Sequence, residues 1–506
     1  MNRTKLFINN SFAMALQQVA ALAAAFIVPR ILITVYGSEI NGLVVSLTQF
    51  IACFALVEAG ISGASVYSLY KPLAEHNQSA IDGIVSAARS FYVQSGWIFV
   101  ALVGVLAVFY PLALKKVSLP YWEISLIVLA LGTAGVMDFF TLSKYRVLLT
   151  ASQRSYVISV AQIVYLTINT FLVWFLAKLH FNIVALECFL VFSVFARSLI
   201  LWLYTRKYFP QVNYNAEPDN TSIKDRWNVL YLQLLSGVQV SVPLIIATLF
   251  CSLKLVSVYS IYNLIMGGIN SVLGMFVSGL AASFGDVIAK KERIILQESY
   301  QEFEQFYYMV ITVIYSVALG LIIPFIKLYM RGASDVNYIL PFLGSLFVFN
   351  GLLHNLKTPQ GTLVVSAGMY RQTRWQSTAQ AAIALIGGCA GAYFFGLYGI
   401  IGGLLLSNVY RDIDLLFFTP KNITRLSYLR TVKRIFVVFL NFAAAAVFFL
   451  IKPVGGTDTF AAWIKQGIIL TSASIICVLI CNIIIDRKNM KSIYLRFKNL
   501  INRRRK

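Results

Sequence analysis

Fourteen apolar runs of about 20 residues or more follow one another along this chain, at 11–36, 41–68, 92–114, 122–143, 156–178, 182–205, 229–252, 256–283, 304–330, 336–357, 375–395, 396–418, 433–452 and 464–485. In hydrocarbon no water satisfies backbone amides and carbonyls. A lone apolar segment can therefore cross only as a helix that closes its hydrogen bonds on itself. The expected fold is an all-α polytopic membrane protein with about 14 transmembrane helices. Of the 506 residues, 59% are hydrophobic and 12% charged, which excludes a soluble domain of this length. The first run is too long for the apolar core of a cleavable signal peptide and is read as the first membrane helix.

An even number of spans puts both termini on one side. With the N-terminus inside, inner segments carry 31 of the 42 basic residues and outer segments carry 8; three arginines lie within the spans. That bias places both termini in the cytoplasm. Nine of the inner charges fall between Arg487 and Lys506, where they would hold the last helix against an anionic leaflet. The net charge of +22 thus reports topology, and no nucleic-acid partner is implied. Six cysteines fall in apolar spans without a CxxC pair and are read as packing residues, with no metal site.

A shift of about 216 residues brings the two halves into partial register. Leu16-Gln17 falls on Leu232-Gln233, Ser62-Gly63 on Ser278-Gly279, and Leu149-Thr150-Ala151 on Val365-Ser366-Ala367. Nearby offsets pair Pro111 with Pro324, Gln162 with Gln380 and Arg197 with Arg411. A six-plus-six repeat of parallel topology follows, related by an axis along the membrane normal. The expected organisation is a first bundle with linker at 1–218, a second bundle at 219–430, and two extra helices with a basic tail at 431–506. The loops 71–91 and 284–303 occupy matching places. Their mixed charge and helical spacing fit short helices lying on the membrane surface, or an ordinary solvated hairpin.

The chain shows no phosphate-binding glycine loop, no HExxH and no nucleophile–base pair, so it is not read as an enzyme. Its chemistry rests on the intramembrane polar residues. An arginine near the bilayer centre costs about 2.5–3.5 kcal/mol on insertion scales and usually faces protein or a water-filled cavity. Its permanent charge and forked donors suit phosphate oxygens. Arg30, Arg197 and Arg411 are the candidate anion-binding residues. Arg30 shares its span with Gln17 and Gln18 and with no acid; Glu58 on the next span is the alternative, a structural partner. Arg411 adjoins Asp412 and Asp414, which could neutralise it. Asp138 is expected to pair with Lys144 or Arg146. Gln17, Glu58, Gln233, His354 and Asp412 are candidate cavity or ion-coupling groups, and His354 could equally be a hydrogen-bonded interior residue. Pro29 and Pro243 lie at nearly matching places in the two halves, as gating kinks would, although membrane helices also tolerate proline generally.

The stretch Pro29-Arg30 through Tyr36-Gly37-Ser38-Glu39-Ile40-Asn41-Gly42-Leu43 resembles the corresponding region of Wzx-type polysaccharide repeat-unit flippases. So do Glu58-Ala59-Gly60-Ile61, Tyr70-Lys71-Pro72-Leu73-Ala74 and the segment from Leu148 to Tyr156. These flippases belong to the multidrug/oligosaccharidyl-lipid/polysaccharide exporter superfamily. The resemblance implies two six-helix bundles in a V-shaped arrangement and a central cavity with alternating access. The implied cargo is an undecaprenyl-pyrophosphate-linked oligosaccharide moved from the inner to the outer leaflet of a bacterial cytoplasmic membrane. Implied partners are a polysaccharide polymerase and glycosyltransferases. Arg30 matches an arginine that contacts the pyrophosphate in related lipid flippases. The last two spans resemble the extra pair that forms a lipid-tail groove in peptidoglycan lipid II flippases. No cofactor is implied; membrane potential or an H+ or Na+ gradient would supply energy. The rival readings are a lipid II flippase, a multidrug cation antiporter, for which acids on spans 1 and 7 are lacking, and a membrane scaffold for a synthase.

Overall fold

The computed structural model describes residues 3–114, 117–219, 226–369, 371–487 and 490, and within them the protein is helical without a strand. Fifteen α-helices follow in order: α1 (Arg3–Phe54), α2 (Ala59–Ala74), α3 (Gln78–Ala113), α4 (Tyr121–Met137), α5 (Ser143–Ala151), α6 (Ser155–Lys178), α7 (Ile183–Tyr208), α8 (Arg226–Phe250), α9 (Leu253–Ala289), α10 (Arg293–Tyr329), α11 (Pro341–Leu356), α12 (Thr358–Ser366), α13 (Arg374–Thr419), α14 (Tyr428–Ile451) and α15 (Phe460–Ile485).

Two of them fold over at a glycine. Gly37 (φ 87°) divides α1, and Gly396 (φ 56°) divides α13. Both take backbone conformations that side chains with a Cβ rarely adopt. Interruptions of other kinds join neighbouring elements. A 3-10 turn, Ala55–Glu58, leads into α2, and a π-helical turn, Asp138–Leu142, joins α4 to α5. Among the described residues ten helices are long and apolar enough to cross a membrane, and Ile8–Glu58 and Arg374–Thr424 are the two doubled ones. The shorter apolar helix Gln239–Phe250 within α8 and the α11–α12 pair occupy the two remaining predicted spans. The protein is a multi-pass helical membrane protein.

The repeat reappears in the helix boundaries. Ala74 and Ala289, Gln78 and Arg293, Ala113 and Tyr329, Ser143 and Thr358, and Ala151 and Ser366 end or begin equivalent helices 215 or 216 residues apart. His76 and Lys291, also 215 apart, hold the same left-handed conformation (φ 54° and 58°) in the tight turns between these helices. In the first unit equivalent positions of the repeat meet where Asn41 Nδ2 donates to Ser257 Oγ across 216 residues at 2.8 Å, and Thr248 Oγ1 donates to Ser46 Oγ at 2.7 Å nearby.

Those turns correct one expectation. The segments 71–91 and 284–303 form no separate surface helices. α2 and α3, and likewise α9 and α10, run on past the apolar spans and meet in a turn of a few residues. The amphipathic spacing belongs to these extensions, which is the hairpin alternative.

The chain divides into two compact units, Met1–Ser260 and Ile261–Lys506. In the first, α1 packs along α6, and α6 along α7. The segment before residue 220 is strapped to α3. Asn213 N donates to Asp82 Oδ1 (3.0 Å), Ser86 Oγ to the Ala216 carbonyl (2.5 Å), and Arg89 to the Tyr214 carbonyl (3.2 Å) and to Asn215 Oδ1. In the second unit the arms of α13 cross on glycines. A Cβ built on Gly399 would sit 1.9 Å from the Gly391 carbonyl oxygen, and one on Gly403 would sit 2.3 Å from the Gly388 nitrogen. Gly387, Gly391, Gly399 and Gly403 thus form a small-residue seam of the kind that lets membrane helices approach closely. α14 and α15 pack against α10. The basic tail beyond Met490 lies outside the described residues.

Candidate functional site

Two polar regions are built into the apolar bundles, one in each unit. In the first, Arg30 lies half-buried on α1, with Nη1 shielded from solvent. The helix continues through Pro29 and breaks at Gly37 instead. Gln17 is half-buried on the same helix, which carries no acid before Gly37. Beside this stretch an open apolar groove of about 420 Å³ runs along the packed α1 and α6. Ala20, Ala23, Ala24 and Ile27 of α1 and Phe171 and Trp174 of α6 are among its lining residues.

Arg197 on α7 is held from three sides. Nη2 meets Asp138 Oδ1 at 2.5 Å, Nη1 donates to Gln162 Oε1 at 2.9 Å, and the guanidinium lies 4.8 Å from the centre of the Tyr165 ring. Asp138 therefore pairs with Arg197, where Lys144 or Arg146 had been expected. The π-helical turn that begins at Asp138 is what the linear spacing does not foresee. Glu58 ends the 3-10 turn, accepts from Ser143 Oγ at 3.1 Å and lies within electrostatic reach of Arg146. Ser143 Oγ also bonds the Asp138 carbonyl at 2.9 Å. The two acids thus sit where helices are irregular and hydroxyls can reach them.

The second region lies where α10, α11, α12 and α13 meet. Asn350 and His354 sit on α11, and Lys357 on its junction with α12; the spacing of four and three puts all three on one helix face. His354 is exposed, whereas Lys357 is half-buried and donates to Asn408 Oδ1. Asn408 Nδ2 donates in turn to Asn350 Oδ1 at 2.9 Å. Arg411 is 7% exposed and pairs with Asp414 at 2.6 Å. The two oxygens of Asp412 are shielded from solvent and accept no hydrogen bond from the described residues. Pro243 is buried inside α8. The side chain of Gln233 lies outside the described residues.

Behind this cluster runs a continuous polar core that the span reading missed. Asn355 Nδ2 donates to Asn270 Oδ1 and to the Tyr315 hydroxyl, both at 2.8 Å, and Tyr307 donates to Asn355 Oδ1 at 2.8 Å. Glu304, fully buried, receives Arg434 at 2.7 Å, Tyr300 at 2.9 Å and Thr431 at 2.9 Å. Arg434 also reaches Asp486 at 3.3 Å, which ties α10, α14 and the end of α15 together. Glu304 and Arg434 lie at the starts of their spans, where charge reads as interfacial. Among the described residues no group of three or more metal-ligating side chains converges.

No protein-family model matches the sequence, and comparison with curated proteins finds no match. Solved structures do match. A lipid II flippase MurJ in an inward closed conformation superposes with a TM-score of 0.65 at 15% identity, covering 96% of this chain and 100% of that one. An inward-facing multidrug resistance MATE transporter of the MOP superfamily gives 0.64 at 14% identity, covering 86% and 99%. A MOP superfamily transporter from Pyrococcus furiosus, described as having a binding pocket of reversed polarity, gives 0.53 at 14%, covering 81% and 94%. The fold is that of the MOP superfamily transporters. The first polar region lies among helices long and apolar enough to cross a membrane, and the second between two more of them, α10 and α13.

Proposed function

We propose that the protein is a flippase of the Wzx type. Its cargo is an undecaprenyl-pyrophosphate-linked oligosaccharide repeat unit, moved from the inner to the outer leaflet of a bacterial cytoplasmic membrane by alternating access. The product would feed capsule, exopolysaccharide or O-antigen synthesis, with polymerase and glycosyltransferases as partners. The observation that carries this reading is the first arm of α1. It brings a half-buried arginine, no acid and an adjoining apolar groove into one stretch of helix. A pyrophosphate cannot enter hydrocarbon without a compensating cation. Arg30 supplies the cation, and the groove offers an apolar chain a place to lie. Arg197 and Arg411 carry their own carboxylates. In this reading they are secondary contacts, reached by exchange of partners.

Two further points favour lipid cargo. The MurJ comparison spans 96% of this chain and the MATE comparison 86%, so the last two helices have more room for a counterpart in the former. A pocket for cationic drugs would want acids along α1, and its described first arm has none. Lipid II is the second reading, favoured by that same coverage. An outside-positive potential would drive the anionic headgroup outward, at about 2.3 kcal/mol per charge per 100 mV.

The test is deletion of the gene followed by lipid analysis. A completed prenyl-linked oligosaccharide should accumulate on the inner leaflet, and Arg30→Ala should reproduce the defect at normal expression. Accumulation of lipid II alone selects the second reading. An unchanged lipid pool with new drug sensitivity sinks both.

A further inference from the structure

The second unit holds a lysine with two possible seats. Lys357 donates to Asn408 Oδ1, and the Asn408 amide is locked in that orientation by its bond to Asn350. Asp412 lies four residues beyond Asn408 on α13, hence on the same helix face. It is within electrostatic reach of Lys357, yet its two shielded oxygens accept no hydrogen bond from the described residues. An ionised carboxylate so placed needs a donor, a cation or a proton.

The groups around it narrow the choice. Arg411, its neighbour in sequence, is engaged by Asp414 at 2.6 Å. From α10, Tyr308 faces Asp412, but its hydroxyl donates to the Leu356 carbonyl at 3.0 Å and accepts from Gln360. Arg434 and Glu304, which stand beyond Tyr308, are paired with each other at 2.7 Å. His354 stands one turn before Lys357 on the same face of α11 and carries no fixed charge to offer Asp412. Lys357 is thus the cation with a neutral partner that Asp412 could recruit without breaking an ion pair.

We propose that Lys357 is a movable cation shared between Asn408 and Asp412, and that a proton arriving at Asp412 decides where it sits. With Asp412 ionised, the ammonium sits on the carboxylate. With a proton on Asp412, the ammonium returns to Asn408, which is the arrangement observed. Each cycle then adds and removes one positive charge and pulls the α11–α12 junction between two positions on α13. The proposal rests on the transport reading and gives it a proton-coupling site in the second unit, separate from Arg30.

Infrared difference spectroscopy of the full-length protein in lipid nanodiscs, titrated with pH, tests this without any cargo. A protonated-carboxyl band should grow on acidification and vanish in Asp412→Asn. Because the ammonium favours the carboxylate, Lys357→Gln should move the midpoint up by at least one pH unit. Asn408→Ala removes the competing seat and should move it down. Lys357→Arg should stay near the native value. A band indifferent to Asp412→Asn, or a midpoint that moves the same way in the glutamine and alanine variants, overturns the switch. Neither result touches the lipid assay for cargo, so the two readings fail separately.

Discussion

The pair Glu304–Arg434 and the pair Arg197–Asp138 are the same chemistry in two surroundings. Side chains of the first are 0% and 4% exposed and share donors from Tyr300 and Thr431. Those of the second are 15% and 30% exposed and lean on Gln162 and Tyr165. In the first, Glu304 and a second carboxylate, Asp486, hold the arginine from two sides, so the pair serves to hold α14 and α15 to α10. In the second, the carboxylate is less enclosed, and one ion pair, one amide and one ring hold the arginine. What separates the two arginines is the number of fixed donors and acceptors around each, since both lie in apolar helices.

The comparison can be broken most sharply at Arg434. Arg434→Ala strands Glu304 in the core and should cost about 3–5 kcal/mol, read as a large drop in detergent-solubilised thermal stability. A drop comparable with that of Arg197→Ala would erase the distinction. Next, Gly391→Ala drives a methyl against the Gly399 backbone and should cost about 1–3 kcal/mol, more than alanine at Gly402, where a Cβ meets open space. A double-mutant cycle on Arg197→Ala and Asp138→Ala should return a coupling of about 0.5–2 kcal/mol, below that of a cycle on the buried pair. The smallest effect is expected at Arg89→Ala. Loss of its bonds to the strap should cost about 0.5–1.5 kcal/mol and speed proteolysis between Gln211 and Asp219. Equal cleavage rates would mean that the strap does not depend on that anchor.

Much of the architecture was legible because the bilayer enforces it. The 14 spans were visible as apolar length, and the repeat was visible in a few matches near one offset. The matching helix ends at Ser143 and Thr358, or Ala151 and Ser366, come from the same duplication. Arg30, Arg197 and Arg411 stood out because charge is rare inside spans. Asp414 was legible beside Arg411, but the partner of Arg197 was not. Asp138 and Arg197 are 59 residues apart and meet through a π-helical turn that no spacing rule announces. Glu304 and Arg434 are 130 residues apart, and each reads as interfacial charge on its own helix. Lys357 was hidden by its place at the end of a span, although Asn350, His354 and Lys357 on one face of α11 were a usable signal.

By itself the sequence determined that the chain is helical, spans a membrane many times and carries a duplicated unit. Hydrocarbon leaves a backbone no other way to satisfy its hydrogen bonds, and local patterning suffices to impose that. Only the tertiary structure decided which charges face one another, which glycines let helices touch, and which carboxylates Arg197 and Arg411 meet. Those outcomes depend on side chains dozens to hundreds of residues apart arriving at one depth in the bundle, and a linear pattern does not encode that meeting.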